Sequence, residues 1–342
     1  MNVLDQRDGK NWTIYNADVC DAIAGIPDES IDVSVFSPPF ASLYTYSASD
    51  RDMGNCSNGA EFSEHLRFLM PHMARVMRPG RNICVHCMDL PTLKYRDGQI
   101  GLIDFPGDII RAATEAGLIW HSRVIIWKDP VTAMQRTKAL GLLHKQVRKD
   151  SCMSRQGIPD YVLVFRKPGT NPSPVAHSMT EFPISLWQQW ASPVWQDVEW
   201  STDHKIEFPP DLWAKWHALV WPDIDPSDTL QARSAREDAD EKHVCPLQLD
   251  VIRRCLNLWS NKDDVVLSPF AGIGSEGYVA LEEGRKFIGF ELKRSYFEQA
   301  AKNLATVEPN AKGKQMSLLD MLRVKRDPNP YPVAAPSEEE AV

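Results

Sequence analysis

"DDVVLSPFAGIGSEGYVALEEGRKFIGFEL", residues 263–292, is the stretch whose reading decides the fold. An apolar, β-branched run around Val265–Leu267 enters a turn holding Gly272 and Gly274. A helix-like stretch follows, and then a second apolar run from Lys286 to Glu291. Strand, glycine turn, helix and strand in that order make a βαβ unit, which requires parallel pairing. Gly272, Gly274 and Gly277 satisfy GxGxxG, and Glu291 lies 17 residues beyond Gly274, at the end of the second strand. Glycines at such a turn let the backbone approach a ligand closely. A carboxylate at the second strand end can accept hydrogen bonds from ribose hydroxyls.

The rest of the chain extends this unit. Strands are expected near 12–17, 32–36, 82–88, 122–127, 161–166, 264–268 and 286–291, and helices over 61–78, 107–117, 246–260, 275–284 and 294–305. The alternation predicts an α/β protein built on a seven-stranded, mostly parallel sheet with helices on both faces. Residues 168–242 break the pattern. Seven of the eleven tryptophans lie between Trp187 and Trp221, and regular periodicity fades, as expected of an inserted lobe. The expected organisation is a first part of the domain over 1–168, an inserted lobe over 169–241, a second part over 242–326 and a disordered tail over 327–342.

Composition narrows the class. The chain has 342 residues, 43% hydrophobic and 25% charged, an ordinary globular balance. No apolar run is long enough to span a membrane, and the first residues carry no secretory h-region, so a cytoplasmic protein is expected. Seven scattered cysteines do not form a disulfide framework. Cys84 and Cys87 form a lone CxxC inside an apolar run. They read as buried strand filler and His86 as a core histidine, with no metal expected. The net charge is −8, but residues 121–167 hold ten Lys/Arg against three Asp. A basic window within an acidic protein suits a phosphate-binding face or an ordinary solvated surface.

A second stretch, "VFSPPF" at 35–40, ends an expected strand on Ser37, Pro38, Pro39 and Phe40. Two prolines supply no N–H to a ladder, so the plain structural reading is a stiff turn. The glycine motif alone is equally open. It fits a nicotinamide-dependent oxidoreductase, a nucleoside cofactor such as S-adenosylmethionine, or a tight strand–helix turn.

Together the two motifs point one way. "SPFAGIG" resembles the FxGxG cofactor motif of S-adenosylmethionine-dependent amino methyltransferases acting on DNA, and "SPPF" resembles their (Asp/Asn/Ser)-Pro-Pro-(Tyr/Phe) catalytic motif. "EKHVCPLQLDVIRRCL" at 241–256 looks like the segment that closes over the methionine end of the cofactor in that family. The resemblance covers roughly 11–168 and 242–305. The motif order, catalytic first and cofactor last, is similar to the family's permuted β group, in which the target-recognition region lies between the halves, where the Trp-rich lobe falls. The resemblance implies a Rossmann-like methyltransferase fold. By the same resemblance, Ser268, Pro269, Phe270, Ala271, Gly272, Ile273, Gly274 and Ser275 shape the cofactor pocket, Glu291 takes the ribose hydroxyls and Asp18 faces the adenine side. Ser268 departs from the family, which usually has Asp-Pro-Phe here, and Glu276 is a candidate to compensate.

The resemblance also implies a chemistry. An exocyclic amine on a base is a poor nucleophile because its lone pair is delocalised into the ring. Acceptors from the Ser37 side chain and the Pro38 carbonyl, held rigid by the two prolines, would favour pyramidal geometry and free that lone pair. Phe40 would stack on a base turned out of the duplex. No Pro-Cys dipeptide occurs, so the covalent route of cytosine C5 methyltransferases is not expected. In the family, Ser at the first catalytic position accompanies cytosine N4, and Asp or Asn accompanies adenine N6. Cytosine N4 in DNA is therefore the expected target and adenine N6 the alternative. Arg136, Lys138, Lys145, Arg148 and Lys149 are the expected phosphate contacts. Residues 41–59 are the expected loop over the base. DNA is the expected partner, in a bacterial or phage-infected cell, with a homodimer as a possible assembly. An RNA or protein-glutamine methyltransferase, an oxidoreductase and a silent DNA-binding module are the other classes left open.

Overall fold

The computed structural model describes residues 3–39, 59–92, 94–126, 128, 148–153, 157–176, 220–221, 224–225, 227–230 and 247–308. The strands are β1 (Asp5–Asp8), β2 (Trp12–Asn16), β3 (Val33–Phe36), β4 (Asn82–Met88), β5 (Leu90–Pro91), β6 (Leu102–Ile103), β7 (Ile119–Ile126), β8 (Asp160–Arg166), β9 (Val220–Trp221), β10 (Val265–Ser268) and β11 (Lys286–Glu291). The α-helices are α1 (Val19–Ala22), α2 (Gly59–Val76), α3 (Lys94–Asp97), α4 (Phe105–Glu115), α5 (Leu249–Trp259), α6 (Ser275–Glu282) and α7 (Arg294–Val307).

One sheet organises the molecule, in the order β1-β2-β11-β10-β3-β4-β8-β7-β9. The run from β2 to β4 is parallel throughout, and β8 joins antiparallel to both β4 and β7. β2, β3 and β10 are buried at every residue, as strands covered on both faces must be. Successive side chains point to opposite faces. Tyr15, Phe36, Ile83 and Val85 meet α2 and α4 in one core, where Phe62, Leu66, Met73 and Ile109 are buried. Ile14, Val33, Val35 and Cys84 meet α5, α6 and α7 in the other, through Val251, Cys255, Val279, Phe297 and Leu304.

The seven expected strands all form, but among the described residues the sheet has nine. The two additions sit at its edges. β1 is the polar run Asp-Gln-Arg-Asp, which carries no alternation to signal a strand. It is held by backbone pairing to β2 and by the Arg294–Asp5 ion pair. β9 is two residues long and pairs parallel with β7, so Val220 and Trp221 of the expected lobe belong to the main sheet. β5 and β6 form a separate two-stranded ribbon. Most of 169–241 and all of 327–342 lie outside the described residues.

A buried charge cluster locks the end of β3 and β10 remote from the glycine turn. Arg81, 2% exposed, lies 3.4 Å from Asp32 Oδ1 and 3.1 Å from Asp264 Oδ2. Arg78 adds a second cation 3.0 Å from Asp32, and Asp32 Oδ2 accepts from the Val265 amide at 2.9 Å. Burial pushes the Asp264 carboxyl up, with the Asp32 charge adding to the shift against Arg81 and Arg78.

Candidate active site

Parallel strands bring their carboxyl ends to one edge. Asn16, Phe36, Met88, Ser268 and Glu291 end their strands there, while the antiparallel β8 begins there at Asp160. From β10 the chain passes through α6 to β11 on one side. From β3 it passes through α2 to β4 on the other. Such a reversal opens a crevice at the strand ends, where α/β sheets bind ligands. The two sequence motifs flank that crevice. Phe36 and Phe270 pack with ring centroids 5.9 Å apart and planes tilted by 53°.

The glycine turn has a defined internal geometry. Gly272 and Gly274 have φ of +52° and +87°, a region costly for residues with a Cβ. The Ala271 amide donates to Phe290 O at 2.8 Å, tying the turn to β11. Glu291 accepts from the Gly272 amide at 2.8 Å and from the Lys293 amide at 2.8 Å, one bond to each carboxylate oxygen. Among the described residues a Cβ at Gly272 would meet nothing within 4 Å. At Gly274 it would sit 3.1 Å from Ala300 Cβ, which brings α7 close under the turn. Pro269, Ala271, Ile273 and Ser275 are buried. The Ser268 hydroxyl is wholly buried, and among the described residues its Oγ has no hydrogen-bond partner. Glu276, in the first turn of α6, is pushed up to about 8 by burial, against its own backbone N–H and with the Glu291 charge adding to the rise. Asp18 sits just beyond β2 and caps α1, accepting from the Cys20 amide at 2.9 Å.

Ser37 follows β3 directly. Pro38 is buried and Pro39 half-buried, while Phe40 and residues 41–58 lie outside the described residues. Ser37 Oγ has two contacts with His86 of β4. It donates to the His86 carbonyl at 3.3 Å, and it lies 3.3 Å from His86 Nδ1. The far ring nitrogen, Nε2, lies 3.2 Å from Asp160 Oδ2, a close contact off the axis of a linear hydrogen bond. Asp160 also takes Lys128 Nζ at 2.5 Å. Burial alone would raise the Asp160 carboxyl, but His86 and Lys128 hold it below the usual range. Beside this row, Asp89 accepts from Tyr161 Oη at 3.3 Å, and burial pushes both groups up.

The expected filler cysteines are free, buried thiols: Cys84 and Cys87 are both pushed up by burial. Among the described residues no group of His, Cys, Asp and Glu is arranged to hold a metal, and no helix is long and apolar enough to cross a membrane. Of the expected phosphate contacts, Arg148 and Lys149 are exposed, and Arg136, Lys138 and Lys145 lie outside the described residues. Four cations of the basic window have structural partners. Lys128 pairs with Asp160, Lys167 with Glu29, Arg166 donates to Gly80 O, and Arg123 lies over the Trp120 and Tyr161 rings. Sequence reasoning placed His86 in the core and missed its contacts with Ser37 and Asp160. The available signal was an acid, Asp160, opening an otherwise apolar strand.

A sequence profile described as DNA methylase matches residues 31–302. The chain belongs to this DNA methylase family. It is 33% identical over 82 residues to the type II methyltransferase M.HinfI of Haemophilus influenzae, and 37% identical over 67 residues to the DNA adenine methyltransferase YhdJ of Escherichia coli K12. Those segments take in 24% and 20% of this chain and 23% of each relative's own length. The fold extends further. The PvuII DNA methyltransferase (cytosine-N4-specific) superposes with a TM-score of 0.57 at 17% identity, covering 94% of both chains. TTHA0409 of Thermus thermophilus, solved in complex with S-adenosyl-L-methionine, superposes with a TM-score of 0.58 at 20% identity over 86% of this chain and 93% of its own. At these identities the superpositions show a shared fold.

Proposed function

We propose that this chain transfers a methyl group from S-adenosylmethionine to the exocyclic amine of a base in DNA, and that the base is cytosine, methylated at N4. The carrying observation is that the two motifs leave neighbouring parallel strands, β3 and β10, at the same edge, where Phe36, just before Ser37, packs 5.9 Å from Phe270. Membership of the DNA methylase family supports the reaction class.

The residues present fit the cofactor. At Gly272 no atom of the described residues comes within 4 Å of where a Cβ would stand, which suits a ligand lying against the backbone. Ser268 Oγ is a buried polar atom with no partner among the described residues, which suits the cofactor's amino group in place of the family's aspartate. Glu291 is held at the strand end by two amides, and a carboxylate oxygen can accept more than one bond, so a ribose hydroxyl can share it. Ser275, at the first position of α6, is placed for the carboxylate, and Asp18 for the adenine side. When bound, S-adenosylmethionine supplies an electrophilic methyl on a sulfonium sulfur. The protein then has to aim a poor nucleophile at it. Ser37 Oγ and the Pro38 carbonyl accept the amine's N–H bonds, and the prolines hold these acceptors still, so little reorganisation is required. Phe40 stacks on the extruded base, and Arg148 and Lys149, with Arg136, Lys138 and Lys145, contact phosphates.

Ser37 supports cytosine N4 as the target. The likeness to the adenine methyltransferase YhdJ supports adenine N6 as the second reading. The test is transfer of labelled methyl from S-adenosylmethionine to unmethylated duplex DNA, with binding of the cofactor measured separately. The wild type is expected to bind and transfer. Ser37→Ala is expected to bind cofactor normally and to transfer at least about 100-fold more slowly, the loss typical of one aligned transition-state contact. Cofactor binding without transfer to DNA would refute the substrate, and absence of binding would refute the reaction.

A further inference from the structure

Ser37 has neighbours of a kind that its role as a hydrogen-bond acceptor does not require. Ser37 Oγ, the His86 ring and the Asp160 carboxylate form a continuous row at 3.3 Å and 3.2 Å, with Lys128 closing it 2.5 Å beyond. The sheet register builds this row. His86 pairs across from Val162, two residues beyond Asp160, and Asp160 itself pairs with Met88 on one side and Ile126 on the other. His86 and Asp160 are 8% and 2% exposed, so neither is a solvated surface group. A buried histidine between a hydroxyl and a carboxylate is the arrangement by which serine enzymes move a proton.

We propose that His86, oriented by Asp160, is the proton acceptor behind Ser37, so that Ser37, His86 and Asp160 act as one relay in amine methylation. The inference rests on the methyl-transfer reading above. As the N–CH3 bond forms and the S–CH3 bond breaks, the sulfonium becomes a neutral thioether and the amine nitrogen becomes cationic. That nitrogen gives a proton to Ser37 Oγ, and the Ser37 hydroxyl proton passes to His86 Nδ1. The imidazolium so formed lies against the Asp160 carboxylate, and its proton leaves to water when the product departs. The hydroxyl has both acceptors at the same distance, 3.3 Å to the His86 carbonyl and 3.3 Å to Nδ1, so a rotation of the O–H bond switches it between resting and transfer positions. These contacts are long, and the Nε2 contact is off-axis. Such bonds commonly tighten when substrate closes the site. The relay requires a resting tautomer with the proton on Nε2, facing Asp160, and the lone pair on Nδ1, facing Ser37. Asp160 and His86 are positioning residues here, since neither touches the base.

The experiment compares single-turnover methyl transfer to long unmethylated duplex DNA by the wild type, His86→Asn, Ser37→Ala and the double variant, with cofactor affinity measured for each. Asparagine keeps a polar atom near the Nδ1 position but cannot take the proton. His86→Asn is expected to slow transfer by about 100-fold or more, the low end for a positioned acid–base group, with cofactor affinity within about twofold of wild type. The double variant is expected to be no slower than Ser37→Ala, because groups acting as one unit are non-additive. Nitrogen NMR of the wild type supplies a readout that needs no variant: the His86 ring is expected as the Nε2–H tautomer. A His86→Asn rate within threefold of wild type, independent effects in the double variant, or an Nδ1–H ring would each overturn the relay while leaving methyl transfer intact. A wild type that binds cofactor and methylates no DNA would overturn both.

Discussion

Replacing Glu276 by glutamine should flatten the dependence of stability on pH. In the folded protein the Glu276 carboxyl is pushed from its usual 4.5 to about 8, chiefly by burial. In the unfolded chain it titrates normally. Between those values the folded state holds a proton that the unfolded state has released, so stability falls as pH rises through the window. A shift from 4.5 to about 8 corresponds to an upper limit of about 5 kcal/mol across the whole window, at about 1.4 kcal/mol per pH unit. Water penetration and local relaxation reduce that figure, and a loss of about 2–4 kcal/mol is expected. Glutamine keeps an acceptor for the backbone N–H but never has to ionise. Urea unfolding at pH 5 should therefore give similar stabilities for wild type and Glu276→Gln, and at pH 8.5 the variant should be the more stable by a few kcal/mol. Parallel pH profiles, or a variant that loses ground as pH rises, would refute a neutral buried carboxyl at this position.

Gly274→Ala places a Cβ at φ +87° and 3.1 Å from Ala300; it should cost about 1–2 kcal/mol in urea unfolding, and a neutral effect would contradict the left-handed turn. Arg81→Leu leaves Asp264 without its buried cation and Asp32 with Arg78 alone; a loss of about 3–5 kcal/mol is expected in the same assay, shrinking in acid as the Asp264 carboxyl, already pushed up by burial, protonates. Changing both Arg148 and Lys149 to glutamine should weaken DNA binding evenly across sequences. It should also make the slope of log K against log salt shallower by about 2. An unchanged slope would remove them from the interface.

The fold was legible wherever its signal was local. Seven strands followed from short apolar runs, three of them buried at every residue, and the glycine turn from a spacing that only a strand–helix junction explains. What escaped depended on partners distant in sequence or on backbone alone. β1 has four polar residues and becomes a strand because β2 offers it an edge. Helix ends moved where a cap intervened. α4 begins at Phe105, two residues before the periodicity suggested, because the Asp104 side chain accepts from the Gly107 amide at 2.8 Å. Likewise α2 stops at Val76, since Met77 bridges to Ile31.

The candidate site divides in the same way. Ser37 and the turn from Ser268 to Ser275 are contiguous motifs, and the sheet brings them together at the reversal in strand order. His86, Asp160 and Lys128 come from three strands or strand ends, and only the antiparallel register of β4, β8 and β7 lines them up. Net charge in a window could not separate Lys128, which faces Asp160, from the exposed Arg148 and Lys149.

The most direct test of the central claim is mass spectrometry of nucleosides from unmethylated DNA after incubation with the purified protein and S-adenosylmethionine. N4-methylcytosine is the expected product. N6-methyladenine would preserve amine methylation and overturn the assignment of base from Ser37. DNA recovered without any methylated nucleoside, from a protein that binds the cofactor, would contradict the account.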